Sequence, residues 1–235
     1  MTVRPWARAV GGRSLGLAGA LVAAVFVGVG FAGVDRYARN YWLYRGFPPP
    51  ADPAYVKRKG TVQHIKVQSA ALGGRAQDVY VYLPPGYPQQ PRRRYPVLYL
   101  LHGFPGRPLA FLLTVRMGVV EDELVAKHAA QPLILVMPFG STGTFTDKEW
   151  ANGVGSGEGW ATFVARDLVQ AIDARYRTLA APDARAIGGL SEGGYGAINI
   201  ALHNPGEFRG GHNWALWRGD AWRAYLAASR RLAHG

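Results

Sequence analysis

Gly189-Leu190-Ser191-Glu192-Gly193 is the first place in this chain where residue types and spacing could do chemistry. A serine hydroxyl attacks a carbonyl only when it is held exposed. The G-x-S-x-G pattern achieves this on a sharp strand-to-helix turn, whose flanking glycines avoid collision with the neighbouring strand and helix. The surroundings fit: residues 184–190 form a short apolar run, and residues 193–203 form a helical stretch that Asn204-Pro205 ends. A second element, His102-Gly103-Phe104-Pro105-Gly106, follows directly on the apolar run that closes at Leu101. In acyl transfer a loop at this place supplies one backbone N–H to the oxyanion, and the residue after the nucleophile supplies the other. Those residues are Phe104 and Glu192. His102 itself reads as a structural loop histidine in preference to a catalytic one. His64, His128, His203 and His234 lack metal-ligand spacing, and with no cysteine in the chain neither a metal nor a cofactor is expected.

The elements that must carry these two motifs can be traced outward from them. Val62, His64, Ile65 and Val67, then Val79, Val81 and Leu83, flank Gly73-Gly74 and predict an antiparallel hairpin ended by Pro84-Pro85-Gly86. Residues 95–101 and 133–137 are continuous apolar runs, as strands buried on both faces of a parallel sheet require. A helix is predicted between them, around 119–129. After them Trp160, Phe163, Val164, Leu168, Val169 and Ile172 recur at helical spacing. Strands and helices in alternation predict an α/β fold, a mostly parallel sheet with helices on both faces.

With its strands and loops placed, the chain resembles the serine esterases of the α/β-hydrolase group that includes esterase D and the antigen 85 mycolyltransferases. The resemblance rests on Tyr95-Pro96-Val97-Leu98-Tyr99-Leu100-Leu101-His102-Gly103 and on Trp160 opening the helix to Tyr176-Arg177. It rests also on Gly188-Gly189-Leu190-Ser191-Glu192-Gly193-Gly194-Tyr195-Gly196-Ala197, through Asn204-Pro205-Gly206-Glu207-Phe208, and it covers roughly residues 60–208. It implies Ser191 as nucleophile, an oxyanion hole from the backbone of Phe104 and Glu192, and an α/β-hydrolase fold. Gly211-His212-Asn213-Trp214 looks like the family's histidine segment, which makes His212 the candidate general base.

One stretch departs from the family pattern. In the family, a further strand, a cap-like excursion and the strand bearing the triad acid separate the Glu-Phe pair from that histidine. Here Phe208 is followed within four residues by His212. The domain is therefore expected to be truncated at its C-terminal strands. The helix after Ser191 runs about 18 Å from the catalytic edge at about 1.5 Å per residue. Residues 205–211 can span at most about 23 to 25 Å when extended. His212 can thus return to Ser191 only along a strand-like path. The triad acid would have to come from elsewhere, with Asp147, Glu149 and Glu158 in the Gly-rich loop after 137 as candidates. Two functions follow: a serine esterase or acyltransferase working on small-molecule or lipid esters through an acyl-enzyme, or an inactive, internally deleted remnant kept as a binding module.

Residues 15–34 hold no charge and no proline, enough to cross a bilayer core of about 30 Å as a helix. Arg4, Arg8 and Arg13 precede them, and Tyr37, Tyr41, Trp42 and Tyr44 follow, which predicts a cytoplasmic N-terminus at 1–14 and a single-pass signal anchor at 15–34. A linker at 35–60 then leads to a domain at 61–235 outside the cytoplasm. Gly30 and Ala32 would allow cleavage as a signal peptide instead, giving a secreted chain. Gly28, Gly30 and Gly33 share the spacing of a dinucleotide fingerprint, yet no amphipathic helix follows them. The first 45 residues carry six Arg and one Asp of the chain's 27 basic and 15 acidic residues, so part of the +12 charge belongs to membrane topology. No basic stripe or nucleic-acid motif appears, and no nucleic-acid partner is expected.

Overall fold

The alternation at 61–83 is realised as a hairpin, β1 (Thr61–Ser69) and β2 (Arg75–Leu83), paired antiparallel from Thr61↔Leu83 to Ser69↔Arg75. The computed structural model describes residues 20–22, 24–28, 30, 51–142, 150–155 and 158–208. The chain divides into two units, Met1–Ala51 and Asp52–Gly235. In the first, residues 20–22, 24–28 and 30 are helical, with Leu21, Val22, Val25, Phe26 and Val27 exposed. Among the described residues no helix is long and apolar enough to cross a membrane.

In the second unit the hairpin is followed by β3 (Val97–Leu101), α1 (Leu109–Leu113), α2 (Met117–Ala126) and β4 (Ile134–Pro138). Helix α3 is composite: an α-turn Trp160–Thr162, a π-helical stretch Phe163–Leu168 and an α-helical stretch Val169–Arg175. Then come β5 (Arg185–Gly189) and α4 (Glu192–His203). The strands lie in the order β1-β2-β4-β3-β5. β2 runs antiparallel to β4, whereas β3 is parallel to both β4 and β5. The sheet is mixed, parallel in its β4-β3-β5 half.

Two apolar layers follow from side chains alternating along each strand. Val79, Val81, Val97, Tyr99, Leu101, Ile134 and Val136 face α3 and α4, whose Trp160, Phe163, Leu168, Ile172 and Ile200 are buried against them. Tyr82, Leu100, Leu135 and Met137 point the other way, onto Phe111 of α1, with Met117 of α2 packed alongside. Strands covered on both sides must be apolar at every position, and β4 is buried throughout its length. β5 is less covered because it pairs on one side only among the described residues.

The stretch expected as linker up to residue 60 is in part docked on this unit. Asp52 pairs with Lys59 and Arg116, the Tyr55 hydroxyl donates to Glu123, and Val56 is buried. The Gly60 N–H donates to Asp122 at 2.9 Å and to the Tyr82 hydroxyl at 3.0 Å. Proline and charge content marked this segment as exposed chain. Its few anchoring side chains find partners on α2 that composition does not show.

Candidate active site

β5 ends at Gly189 and α4 starts at Glu192, which leaves Leu190 and Ser191 to turn the chain. Ser191 takes φ 56° and ψ −122°, a backbone conformation that side chains rarely adopt and that costs about 1–3 kcal/mol. Its hydroxyl makes no capping bond to α4, and the residue is exposed. The turn is tied to β3 by the Leu190 N–H, which donates to the Leu101 carbonyl at 3.0 Å. A Cβ on Gly193 would stand 1.9 Å from that same carbonyl oxygen, so helix and strand approach at a distance only glycine permits. The spacing of the two glycines about Ser191 is thus a packing requirement.

The loop after β3 lies directly against the serine. A Cβ on Gly103 would be 2.8 Å from the Leu190 carbonyl oxygen and 3.0 Å from the Ser191 Cβ. Phe104 and Ser191 border one cleft of about 240 Å³, completed by apolar Pro105, Phe111, Val115 and Leu190. Glu192 opens α4, so its N–H belongs to the first helical turn, whose donors point out of the N-terminal end. Phe104 and Glu192 therefore both flank the nucleophile, one from the loop after β3 and the other from the turn after the adjacent β5.

His102 takes no position as a base. It is buried, its Nε2 accepts the Gly140 N–H at 3.0 Å, and its Nδ1 lies 2.9 Å from the Gly103 carbonyl. An Nε2 that accepts is unprotonated, so Nδ1 carries the hydrogen and donates it. Burial, helped by the positive charge of Arg107, holds this imidazole below its ordinary value, although its bond to Gly103 pulls the other way. His102 is a neutral brace between the loops after β3 and β4, consistent with a structural reading.

The remaining candidates divide. Glu158 accepts from the Trp160 indole N–H at 2.9 Å and pairs with Arg75 at 2.6 Å. Arg75 opens β2, three strands from β5, or about 14 Å at about 4.8 Å per strand. Glu158 is therefore not brought to Ser191. His212, Asp147 and Glu149 lie outside the described residues. Among the described residues no cluster of His, Asp and Glu side chains could hold a metal ion. A larger hollow of about 760 Å³ beside the end of α2, lined by Tyr55, Lys57, Arg58 and His128, contains neither Ser191 nor Phe104.

Sequence reasoning passed over Trp150. It is fully buried, its indole N–H donates to the His102 carbonyl at 2.9 Å, and its ring meets that of His102 edge-on at 5.1 Å. A lone tryptophan in a Gly-rich loop has no periodicity to betray that it will be buried.

A serine on a strained strand-to-helix turn, beside a glycine-rich loop at the carboxyl edge of a parallel sheet, defines the α/β-hydrolase class of fold and site. The family model described as "Putative esterase" matches residues 69–210, and the chain belongs to that α/β-hydrolase esterase family. It is 33% identical over 175 residues to an endo-1,4-beta-xylanase/feruloyl esterase of Xylanibacter ruminicola, covering 72% of this chain and 23% of that protein. It is 34% identical over 145 residues to an esterase of Mycobacterium tuberculosis, covering 62% of this chain and 30% of the relative. The chain thus spans less than a third of the length of these curated relatives. A solved ferulic acid esterase superposes with a TM-score of 0.59 at 27% identity, over 65% of this chain and 58% of that one.

Proposed function

We propose that the protein is a serine carboxylic-ester hydrolase or acyltransferase that works through an acyl-enzyme. The observation that carries this reading is the backbone of Ser191, held at positive φ with its hydroxyl clear of the helix and facing the cleft it shares with Phe104. Ser191 Oγ attacks the ester carbonyl and loses its proton to a base. The carbonyl oxygen becomes an oxyanion held by the Phe104 and Glu192 N–H groups. The alcohol then leaves with a proton, and water or a second alcohol releases the acyl group from Ser191.

His212 is the proposed base. What supports it is reach: Glu207 accepts from Arg185, the first residue of β5, and Phe208 packs edge-on against Tyr99 of β3. The chain therefore leaves Phe208 beside the start of β5. Four extended residues cover about 13 Å, and the five residues of β5 span about the same. Since Arg75 and Trp160 hold Glu158, the acid is assigned to Asp147 or Glu149.

A compact apolar acyl group suits a cleft of about 240 Å³ lined by Phe104, Phe111, Val115 and Leu190. Together with the likeness to a ferulic acid esterase, this favours esters of aromatic acids. The apolar, uncharged run at 15–34, preceded by three arginines, supports a single-pass anchor that holds the domain outside the cytoplasm. The short junction between Phe208 and His212 favours the second reading, an inactive remnant.

A fluorophosphonate probe and a short-chain chromogenic ester separate the two. The expected result is labelling and turnover in the wild type, both lost in Ser191→Ala, with His212→Ala reduced by at least about a hundredfold. Equal labelling of wild type and Ser191→Ala overturns the mechanism. A folded wild-type chain without turnover supports the remnant.

A further inference from the structure

We infer that Trp150 is a positioning residue, a clamp that fixes the oxyanion loop against the nucleophile helix. The inference rests on the acyl-transfer reading of the site. The N–H of Phe104 stabilises an oxyanion only if its loop is placed to within a fraction of an ångström, because such donors work at about 2.7–3.1 Å from where the charge develops. Nothing regular holds that loop. β3 ends at Leu101, and α1 does not begin until Leu109.

Trp150 joins the three elements that must agree. Its indole N–H donates to the carbonyl of His102, two residues before Phe104. Its ring lies so close to Gly140, in the loop after β4, that a Cβ there would meet ring carbons at 2.3 Å. Its own Cβ would be met at 2.4 Å by a Cβ on Gly196 of α4, the helix that follows Ser191. His102 closes the circuit, since its Nε2 takes the Gly140 N–H and its ring stacks on Phe139. The loop after β3, the loop after β4 and α4 are thereby locked through one indole, fully buried and absent from the residues lining the cleft.

A side chain placed in this way acts on the transition state and leaves ground-state binding alone. The ground-state ester binds through the apolar cleft, which Trp150 does not border. Only the oxyanion depends on where the Phe104 N–H stands. Trp150→Phe keeps a ring in the core and deletes the indole N–H that donates to the His102 carbonyl.

The test compares wild type, Trp150→Phe and Ser191→Ala as full chains. The expected result for Trp150→Phe is a fall in kcat of about tenfold or more with KM changed less than about twofold, and a matching fall in the rate of fluorophosphonate labelling. Hydrogen exchange of the peptide spanning 101–106 reads the clamp without needing turnover, and it should quicken in Trp150→Phe but not in Ser191→Ala. Unchanged exchange in that peptide, or a rise in KM with kcat preserved, overturns the clamp. Loss of the Ser191-dependent labelling in the wild type, with exchange still quickened by Trp150→Phe, overturns the esterase reading while leaving the clamp in place. Should Trp150→Phe fail to fold, His102→Phe, which keeps a ring but removes the acceptor of the Gly140 N–H, must show the same quickened exchange and kcat loss, or the clamp is wrong.

Discussion

Ser191 stores strain, and replacing it in two ways measures how much. Ser191→Ala and Ser191→Gly both delete the hydroxyl, yet only glycine adopts φ 56°, ψ −122° without steric conflict. A non-glycine residue held there costs about 1–3 kcal/mol. Glycine gives back part of the gain because its unfolded chain is freer, by about 0.5–1 kcal/mol. The difference leaves Ser191→Gly more stable than Ser191→Ala by about 0 to 2.5 kcal/mol, centred near 1. In a domain of this size about 1 kcal/mol moves the thermal midpoint by about 2–4 °C. Neither variant should label with a fluorophosphonate. Thermal and urea unfolding of the two proteins side by side give the answer. A Ser191→Gly chain that melts below Ser191→Ala would show that the turn is not strained and that the fold does not force this serine into its exposed position.

Burial, with the nearby carboxylate of Asp122 adding to it, raises Glu121 to about 8, while the Leu133 N–H it accepts pulls the other way. The folded chain then holds a proton that the unfolded chain has released, so stability falls as pH rises between about 4.5 and 8. Glu121→Gln keeps the acceptor for Leu133 and should remove a loss on the order of 3 kcal/mol between about pH 5 and pH 8, read by urea unfolding at both values. An unchanged pH slope would refute it. Arg185 is buried at the start of β5, 2.5 Å from Asp173 and 3.2 Å from Glu207. Arg185→Ala leaves both carboxylates without their cation and should cost about 3–5 kcal/mol, lowering the thermal midpoint by about 10 °C. A shift under about 2 °C would mean that the pair is solvated.

Local pattern and tertiary contact divided the information unevenly. The hairpin, both apolar runs and the helix carrying Trp160 to Ile172 were legible because burial imposes periodicity, and periodicity is a property of neighbours in sequence. The turn at Ser191 was legible for a different reason: the close approach of α4 to β3 at Leu101 excludes any side chain at Gly193, so a geometric demand is written as residue identity. The start of the packed domain was not legible. Residues 46–60 carry four prolines and several charges, as linkers do, and only the distant partners Tyr82, Arg116, Asp122 and Glu123 show residues 52–60 docked. Glu158 looked equivalent to its loop neighbours until Arg75, far away in sequence, claimed it.

From residue order alone came the serine, the loop that faces it and the α/β layering, because each depends on residues adjacent in the chain. Only the tertiary structure decided what holds them in register. His102 became a neutral brace because Gly140 offers it an N–H, and Trp150 became the residue that links loop to helix because two glycines, 56 residues apart in sequence, leave room for one indole. Contacts of that kind depend on distance in space, which spacing along the chain does not encode.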